Sequence, residues 1–182
     1  MLDGNRCYRE EARMTDNPKD FGPVLRLDAD AEGLPGHRTF RLLVVGREGT
    51  ASLWLEKEEL RALGVAIDQL LSRVSGRPEW KFYGKAPDPY GPAPGFPAPA
   101  QVDFKVSQLS LGYETETDMF VLLAHDSDAD PEGPASFTCL ATAAQVRSLS
   151  RRIESVISAG RPTCPLCGDP IDADRHICIR SN

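Results

Sequence analysis

Cys164-Pro-Leu-Cys167 and His176-Ile-Cys178 stand within fifteen residues of one another near the end of the chain. Thiolate sulfur and imidazole nitrogen are the donors that zinc prefers, and a structural zinc takes four of them in a tetrahedron. A Cys-x-x-Cys turn lets two sulfurs converge on one ion. Pro165 stiffens that turn by fixing its own φ. Gly168 follows the second cysteine and accepts a positive φ that a larger residue resists. His176 and Cys178 are two apart, so in an extended segment they project from one face. Asp169-Pro170 and Asp172-Ala-Asp174 are turn formers that double the chain back between the two pairs. The expectation is one structural Zn²⁺ held by Cys164, Cys167, His176 and Cys178. With four protein ligands the sphere is closed, and no position remains for water or substrate. The rival readings are a redox dithiol, for which no βαβ context surrounds the CxxC, and a frayed tail of free thiols.

Elsewhere, residues with reactive side chains do not form a catalytic pattern, and no catalytic residue is assigned. Asp126, Asp128 and Asp130 alternate in an acidic stretch. A calcium loop of the EF-hand type needs Gly at its sixth position and Glu at its twelfth, where this chain has Pro131 and Phe137. A solvated hairpin loop is expected instead. His37 and His125 are isolated in sequence. Cys139 is expected in a strand as a small buried apolar residue, and Cys7 receives no role. The chain holds no GxSxG, phosphate-binding loop, dinucleotide fingerprint or HExxH.

The chain has 182 residues, 41% hydrophobic and 26% charged, enough for one real core. Its formal charge of -6 argues against a nucleic-acid surface, since such surfaces neutralise phosphates with Lys and Arg. Within the tail, Arg161, Arg175 and Arg180 cancel Asp169, Asp172 and Asp174. No apolar run approaches the ~20 residues of a membrane helix. The stretch Met1 to Arg13 is mixed and charged, unlike a signal peptide. It reads as a disordered extension or as a misassigned start ahead of Met14. Clustered thiols suit a reducing cytoplasm.

The elements that must carry this tail form two β-β-β-α units. The first spans about 24–77: strands Val24–Leu27, Thr39–Val45 and Thr50–Leu55, then a helix from Lys57 to about Ser75. Leu60, Leu63, Ile67, Leu70, Leu71 and Val74 share one face of that helix. Gly46-Arg-Glu-Gly49 gives a tight connection. The second unit spans about 102–160. Its first strand, Val102–Tyr113, changes apolar phase from Val102, Phe104 and Val106 to Leu109, Leu111 and Tyr113, which calls for a bulge near Ser107-Gln108. Strands Asp118–His125 and Ala135–Ala141 follow, then a helix over Thr142–Ala159 with Val146, Leu149, Ile153, Val156 and Ile157 inward. Thr142 is the expected N-cap and Gly160 the expected C-cap. A shift of 86 positions lays Arg61 on Arg147, Leu63 on Leu149 and Ile67 on Ile153, and both units close in Gly-Arg-Pro. An approximate two-fold axis is expected between them. The domain plan is an N-terminal extension 1–20, an α+β domain 21–160 with a linker 84–100, and a zinc-knuckle tail 161–182. The linker carries six prolines and three glycines and cannot be a central strand. Trp80, Phe82 and Tyr83 before it are expected to pack on the core.

The tail from Gly160 to Asn182 resembles the end of an uncharacterised bacterial family of actinobacterial type, the domain of unknown function 3090. That family typically ends with Cys-Pro-x-Cys-Gly-x-Pro-x-Asp and then Gly-His-x-Cys-Pro-Arg-x-Asn. The likeness extends to Arg38-Thr-Phe40, to Ser52-Leu-Trp-Leu-Glu-Lys57 and to the second helix. Arg175 and Ile179 replace the usual Gly and Pro, and neither change removes a ligand. The resemblance implies no catalytic residue.

The expected architecture is thus α+β: an antiparallel sheet of about six strands with both helices packed on it, plus the zinc tail. The expected function is a non-enzymatic binding or adaptor protein. The rival is an enzyme or enzyme subunit acting on a phosphorylated or nucleotide-like metabolite in a cleft between the units. Leu42 to Val45 and Met119 to Ala124 are apolar at both parities. Both faces of those strands therefore seek cover, from a homo-oligomer, a partner protein, or the N-terminal segment and linker.

Overall fold

A computed structural model of the chain describes residues 20–34, 37–47, 49–75 and 99–159, together with Cys164 and Leu166. The first nineteen residues, most of the linker, the two Gly-Arg-Pro segments and most of the tail lie outside the described residues. Seven strands and two helices follow one another as β1 (Asp20–Pro23), β2 (Arg26–Glu32), β3 (Thr39–Val45), β4 (Thr50–Leu55), α1 (Lys57–Val74), β5 (Val102–Glu114), β6 (Met119–Asp126), β7 (Phe137–Ala141) and α2 (Ala143–Ser158). The spatial order is β1-β7-β6-β5-β4-β3-β2.

The α+β class holds, with two corrections. Of the expected first strand, Val24–Leu27, only Arg26 and Leu27 are strand, at the start of β2, while Val24 and Leu25 form a junction. β1 ends at Pro23 and pairs with β7, while β2 begins at Arg26 and pairs with β3. Only Val24 and Leu25 separate strands at opposite ends of the order. The sheet must therefore roll until its two edges meet at that corner. Backbone bonds fasten it there: Val24 N–H donates to Leu140 O at 2.9 Å and Leu25 N–H to Val45 O at 2.8 Å.

The sheet is also mixed. β4 and β5 are parallel, as are β1 and β7, while the remaining pairs are antiparallel. A parallel neighbour needs a long crossover. The stretch between β4 and β5, which contains α1, supplies it. The bulge falls where the apolar phase demands it: Val106 opposes Asp126, Gln108 opposes His125, and Ser107 is the extra residue. Phe104 and Val106 before it, and Leu109, Leu111 and Tyr113 after it, all pack on one core.

That core is the inner face of the rolled sheet. Phe40 opposes Leu55, Leu42 opposes Leu53, and Val44 opposes Ala51. Phe120 opposes Ala141, Leu122 opposes Cys139, and Ala124 opposes Phe137. All twelve are 5% exposed or less. α1 turns Leu60, Leu63, Ile67, Leu71 and Val74 into it, and α2 turns in Val146, Leu149, Ile153 and Val156, the stripes expected from a 3.6-residue period.

Both helices start at capping boxes. The Glu59 carboxylate accepts from Glu56 N–H at 2.7 Å. Thr142 Oγ1 accepts from Gln145 N–H, and Gln145 Oε1 accepts from Thr142 N–H at 2.8 Å. Gln145 Nε2 also donates to Val24 O and Leu25 O, tying α2 to the sheet corner. At its far end α2 is capped by Ala159, one residue before the expected Gly160. Arg152 Nε donates to Ala29 O at 3.0 Å. α2 therefore satisfies a backbone group along β2, an edge that would otherwise invite further strands.

Candidate functional site

Of the four expected zinc ligands, Cys164 is described and is buried, 6% exposed. Cys167, His176 and Cys178 lie outside the described residues. Cys164 follows α2 by a few residues. The donor set of three thiolates and one imidazole suits zinc. Among the described residues no group of three or more His, Cys, Asp or Glu is placed to hold a metal. The acidic stretch is a hairpin loop, as expected. Asp126 Oδ1 accepts from Asp128 N–H and Asp130 Oδ1 from Glu132 N–H, both at 3.0 Å, so these carboxylates shape the turn.

Cys139 is mid-strand and fully buried, and burial pushes its thiol up to about 12. A thiol held so firmly neutral is no nucleophile. Nδ1 of His125 and Nε of Arg38 are buried without a hydrogen-bond partner among the described residues. Arg38 Nη1 donates to Val156 O at 3.5 Å, a long contact with the last turn of α2.

A cleft that sequence periodicity does not locate opens between the two helices. It holds about 570 Å³ and is lined by Lys57, Arg61, Gly64, Val65 and Asp68 of α1 and by Ser150, Ile153, Glu154, Ile157 and Ser158 of α2. The helices run in opposite senses across it: Gly64 meets Ile153, and Asp68 meets Ser150. Gly64 makes the approach close. A Cβ there would sit 3.2 Å from Ile153 Cγ2, tighter than ordinary contact. Ser150 Oγ, buried, donates to Asp68 Oδ1 at 2.7 Å. Val65 is 52% exposed, although most large apolar residues of the helices are buried. Lys57, Arg61, Asp68 and Glu154 are all exposed. The signal that could have found the cleft is Gly64 inside a helix whose other positions favour larger residues, since a mid-helix glycine costs stability unless packing requires it.

A second polar constellation lies on the outer face of the sheet. Asp30, Arg41, Trp54 and Lys105 are in register across β2, β3, β4 and β5. Arg41 grips Asp30 with two bonds, at 2.7 and 2.9 Å, reaches Glu32 at 2.7 Å, and lies 5.1 Å above the Trp54 ring. The Asp30 hydrogen bond is the main cause that raises the Arg41 guanidinium above its ordinary value. Trp54 Nε1 donates to Asp103 Oδ1 at 2.7 Å. These groups satisfy one another, which is what a structural surface network does.

The family described as Protein of unknown function (DUF3090) matches residues 19–178. The chain belongs to that family. The matched span takes in every strand and helix described above and all four expected zinc ligands. No curated protein and no solved structure matches the chain.

No helix among the described residues is long and apolar enough to cross a membrane. The outer faces of β6 and β7 carry Met119, Val121, Leu123 and Leu140, all half-buried, and Leu43 on β3 is 4% exposed. The outer side of β3 is thus covered at Leu43, while the outer face of β6 and β7 is covered only in part.

Proposed function

We propose that this is a non-enzymatic binding protein of the cytoplasm, whose binding surface is the cleft between α1 and α2 and whose tail is clamped by a structural zinc. The observation that carries the reading is the cleft itself, an open hollow with an apolar floor and charged rim. Its volume falls in the range of small-molecule sites, about 300–1,000 Å³. Its titratable groups are all exposed, a setting that suits recognition better than proton transfer, which draws on burial to tune an acid or base. The enzymatic alternative, action on a phosphorylated or nucleotide-like metabolite, needs the same cleft. Against it, no histidine or cysteine among the described residues lines the cleft, and Ser150 spends its proton on Asp68. A homo-oligomer or protein partner over the apolar outer face of β6 and β7 fits the same picture. No nucleic acid is expected as a ligand.

The body that holds the cleft is, in this reading, a duplicated β-β-β-α unit with an approximate two-fold axis along the rolled sheet. The pairings support it. Phe40–Leu55 and Val44–Ala51 in the first set recur as Phe120–Ala141 and Ala124–Phe137 in the second. The outer ends agree too, with Glu32–Thr39 matched by Glu114–Met119. The parallel junction β4–β5 has its counterpart in β7–β1, where β1 runs on into β2.

Two measurements test the proposal. Metal analysis of the full chain purified without chelator should find one zinc per molecule, lost in Cys164→Ser while far-UV circular dichroism barely changes. The core helices bury their own apolar faces and do not need the ion, unlike an isolated zinc finger. A protein without zinc would refute the tail assignment. Fractionated small molecules from the source cells, added to isotope-labelled protein, should move NMR signals of cleft residues. If every active fraction acts elsewhere, the cleft is not the binding surface.

A further inference from the structure

We propose that the cleft takes a small amphiphilic anion, with an oxyanion head, phosphate or carboxylate, on Lys57 and Arg61 and an apolar body along Val65 and Ile157. This rests on reading the cleft as the binding surface and adds the class of ligand.

Lys57 and Arg61 are four residues apart and so share one face of α1. Both line the cleft. Lys57 has no ion-pair partner among the described residues. Arg61 has only Glu58, at 3.7 Å between side chains 52% and 76% exposed, a pair that water screens almost completely. Two other exposed cations, by contrast, are engaged: Lys105 holds Glu56 at 2.9 Å, and Arg152 reaches Asp28 at 3.4 Å. In a chain of net charge -6, two under-used cations side by side in a hollow are positioned for an anion from outside. Two charged donors on one head also give the stronger, charge-assisted class of hydrogen bond.

The rest of the lining limits the ligand to a single anionic end. Further along, Asp68 is held by Ser150, and Glu154 projects from the facing helix. A second anionic group would meet these carboxylates. An uncharged body meets Val65 and Ile157 instead. Burying part of a residue that is now 52% exposed favours such a body by the ordinary hydrophobic term. Gly64 keeps the floor low, because any side chain there would fill the space beside Ile153.

The test titrates the full-length, isotope-labelled protein with hexyl phosphate, hexanoate, hexanol and inorganic phosphate, reading the Gly64 amide and Val65 methyl signals. Saturable shifts at both residues are expected with hexyl phosphate or hexanoate. The tighter of the two identifies the head. Lys57→Gln combined with Arg61→Gln should weaken that binding by about tenfold or more with an unchanged thermal midpoint. Val65→Asn should weaken it while leaving inorganic phosphate unaffected. Hexanol binding as tightly as the anions, and indifferent to the double substitution, would overturn the anionic class while sparing the cleft as a binding surface. No saturable shift at Gly64 or Val65 with any probe at millimolar concentration would overturn the inference. The broader reading would then fall only if the cell-derived fractions also left the cleft untouched.

Discussion

The first three-strand set, β2-β3-β4, and the second, β5-β6-β7, use corresponding registers and carry opposite outer faces. On the first set the outward row is Asp30, Arg41, Trp54 and, on the neighbouring strand, Lys105. On the second the corresponding row is Gly112, Val121, Leu140 and, next to it, Pro23. Inward, both sets place apolar pairs that fill one shared core, with bulk redistributed: the first set puts Ala51 opposite Val44 where the second puts Phe137 opposite Ala124. The difference teaches which constraint is strict. A one-residue slip would turn every core side chain outward, so register is held. The outer row meets solvent or a changeable neighbour, and its chemistry is free to differ between the sets.

The largest effects should come from the core, which both sets share. Phe120→Ala should cost about 3–5 kcal/mol and Leu53→Ala about 2–5 kcal/mol in urea unfolding. Cys139, the counterpart of Leu53 in the second set, should cost clearly less as Ala, because a smaller side chain leaves a smaller cavity. Equal losses at Leu53 and Cys139 would mean that the two sets do not share one core as described.

The helix crossing comes next. Gly64→Val must displace Ile153, whose Cγ2 would stand 3.2 Å from the new Cβ. A loss of about 1–3 kcal/mol is expected from overpacking. A neutral result would mean that the helices part easily and that the cleft is not a fixed shape.

Cys139 makes a pH-dependent prediction. Its thiol is raised from an ordinary 9.0 to about 12, by burial first and by the charge of Asp20 second. Below 9 the thiol is neutral in both folded and unfolded chains, and its contribution to stability is fully present. Above 9 only the unfolded chain ionises it, so stability falls as pH rises towards 12, by about 1.4 kcal/mol per pH unit. Cys139→Ala should flatten that alkaline decline. Native Cys139 should also resist alkylation at neutral pH. Rapid labelling without unfolding would contradict its place in the core.

The outer rows should show the smallest effects. Arg41→Ala breaks the grip on Asp30 and the stacking on Trp54, and a loss of about 1 kcal/mol is expected. Lys105→Ala removes a fully exposed pair with Glu56 and should leave the thermal midpoint unmoved. Leu123→Lys in the second set should change the sedimentation coefficient if a second copy covers that face. An unchanged monomer in both forms would exclude a second copy and leave the chain itself or a different protein as the cover.

Much of this body was legible in the residues. Thr39–Val45 and Thr50–Leu55 form strands with the expected limits, α1 spans Lys57–Val74, and the bulge sits at Ser107. These are local signals, set by period, caps and alternation, and each side chain reports its own neighbours along the chain. The helix stripes were equally plain, because burial at a spacing of 3.6 leaves a pattern within one element. The expected antiparallel sheet failed at β4–β5 although the clue was present: a helix stands between those strands, and such a connection favours parallel neighbours. The zinc ligands, apart from Cys164, fall outside the described residues, so that part of the expectation rests on residue type and spacing.

By itself, then, the sequence determined which residues face the core, where the helices begin, and which side chains could hold a metal. Only the tertiary structure decided that β1 and β2 belong to opposite ends of one rolled sheet. It also decided that Gly64 lies on Ile153 and that Lys57, Arg61 and Val65 share a hollow with Glu154. The reason is physical. Periodicity records whether a residue is buried, while a corner, a crossing or a cleft depends on which distant surface does the burying, and that is set by closure of the sheet as a whole.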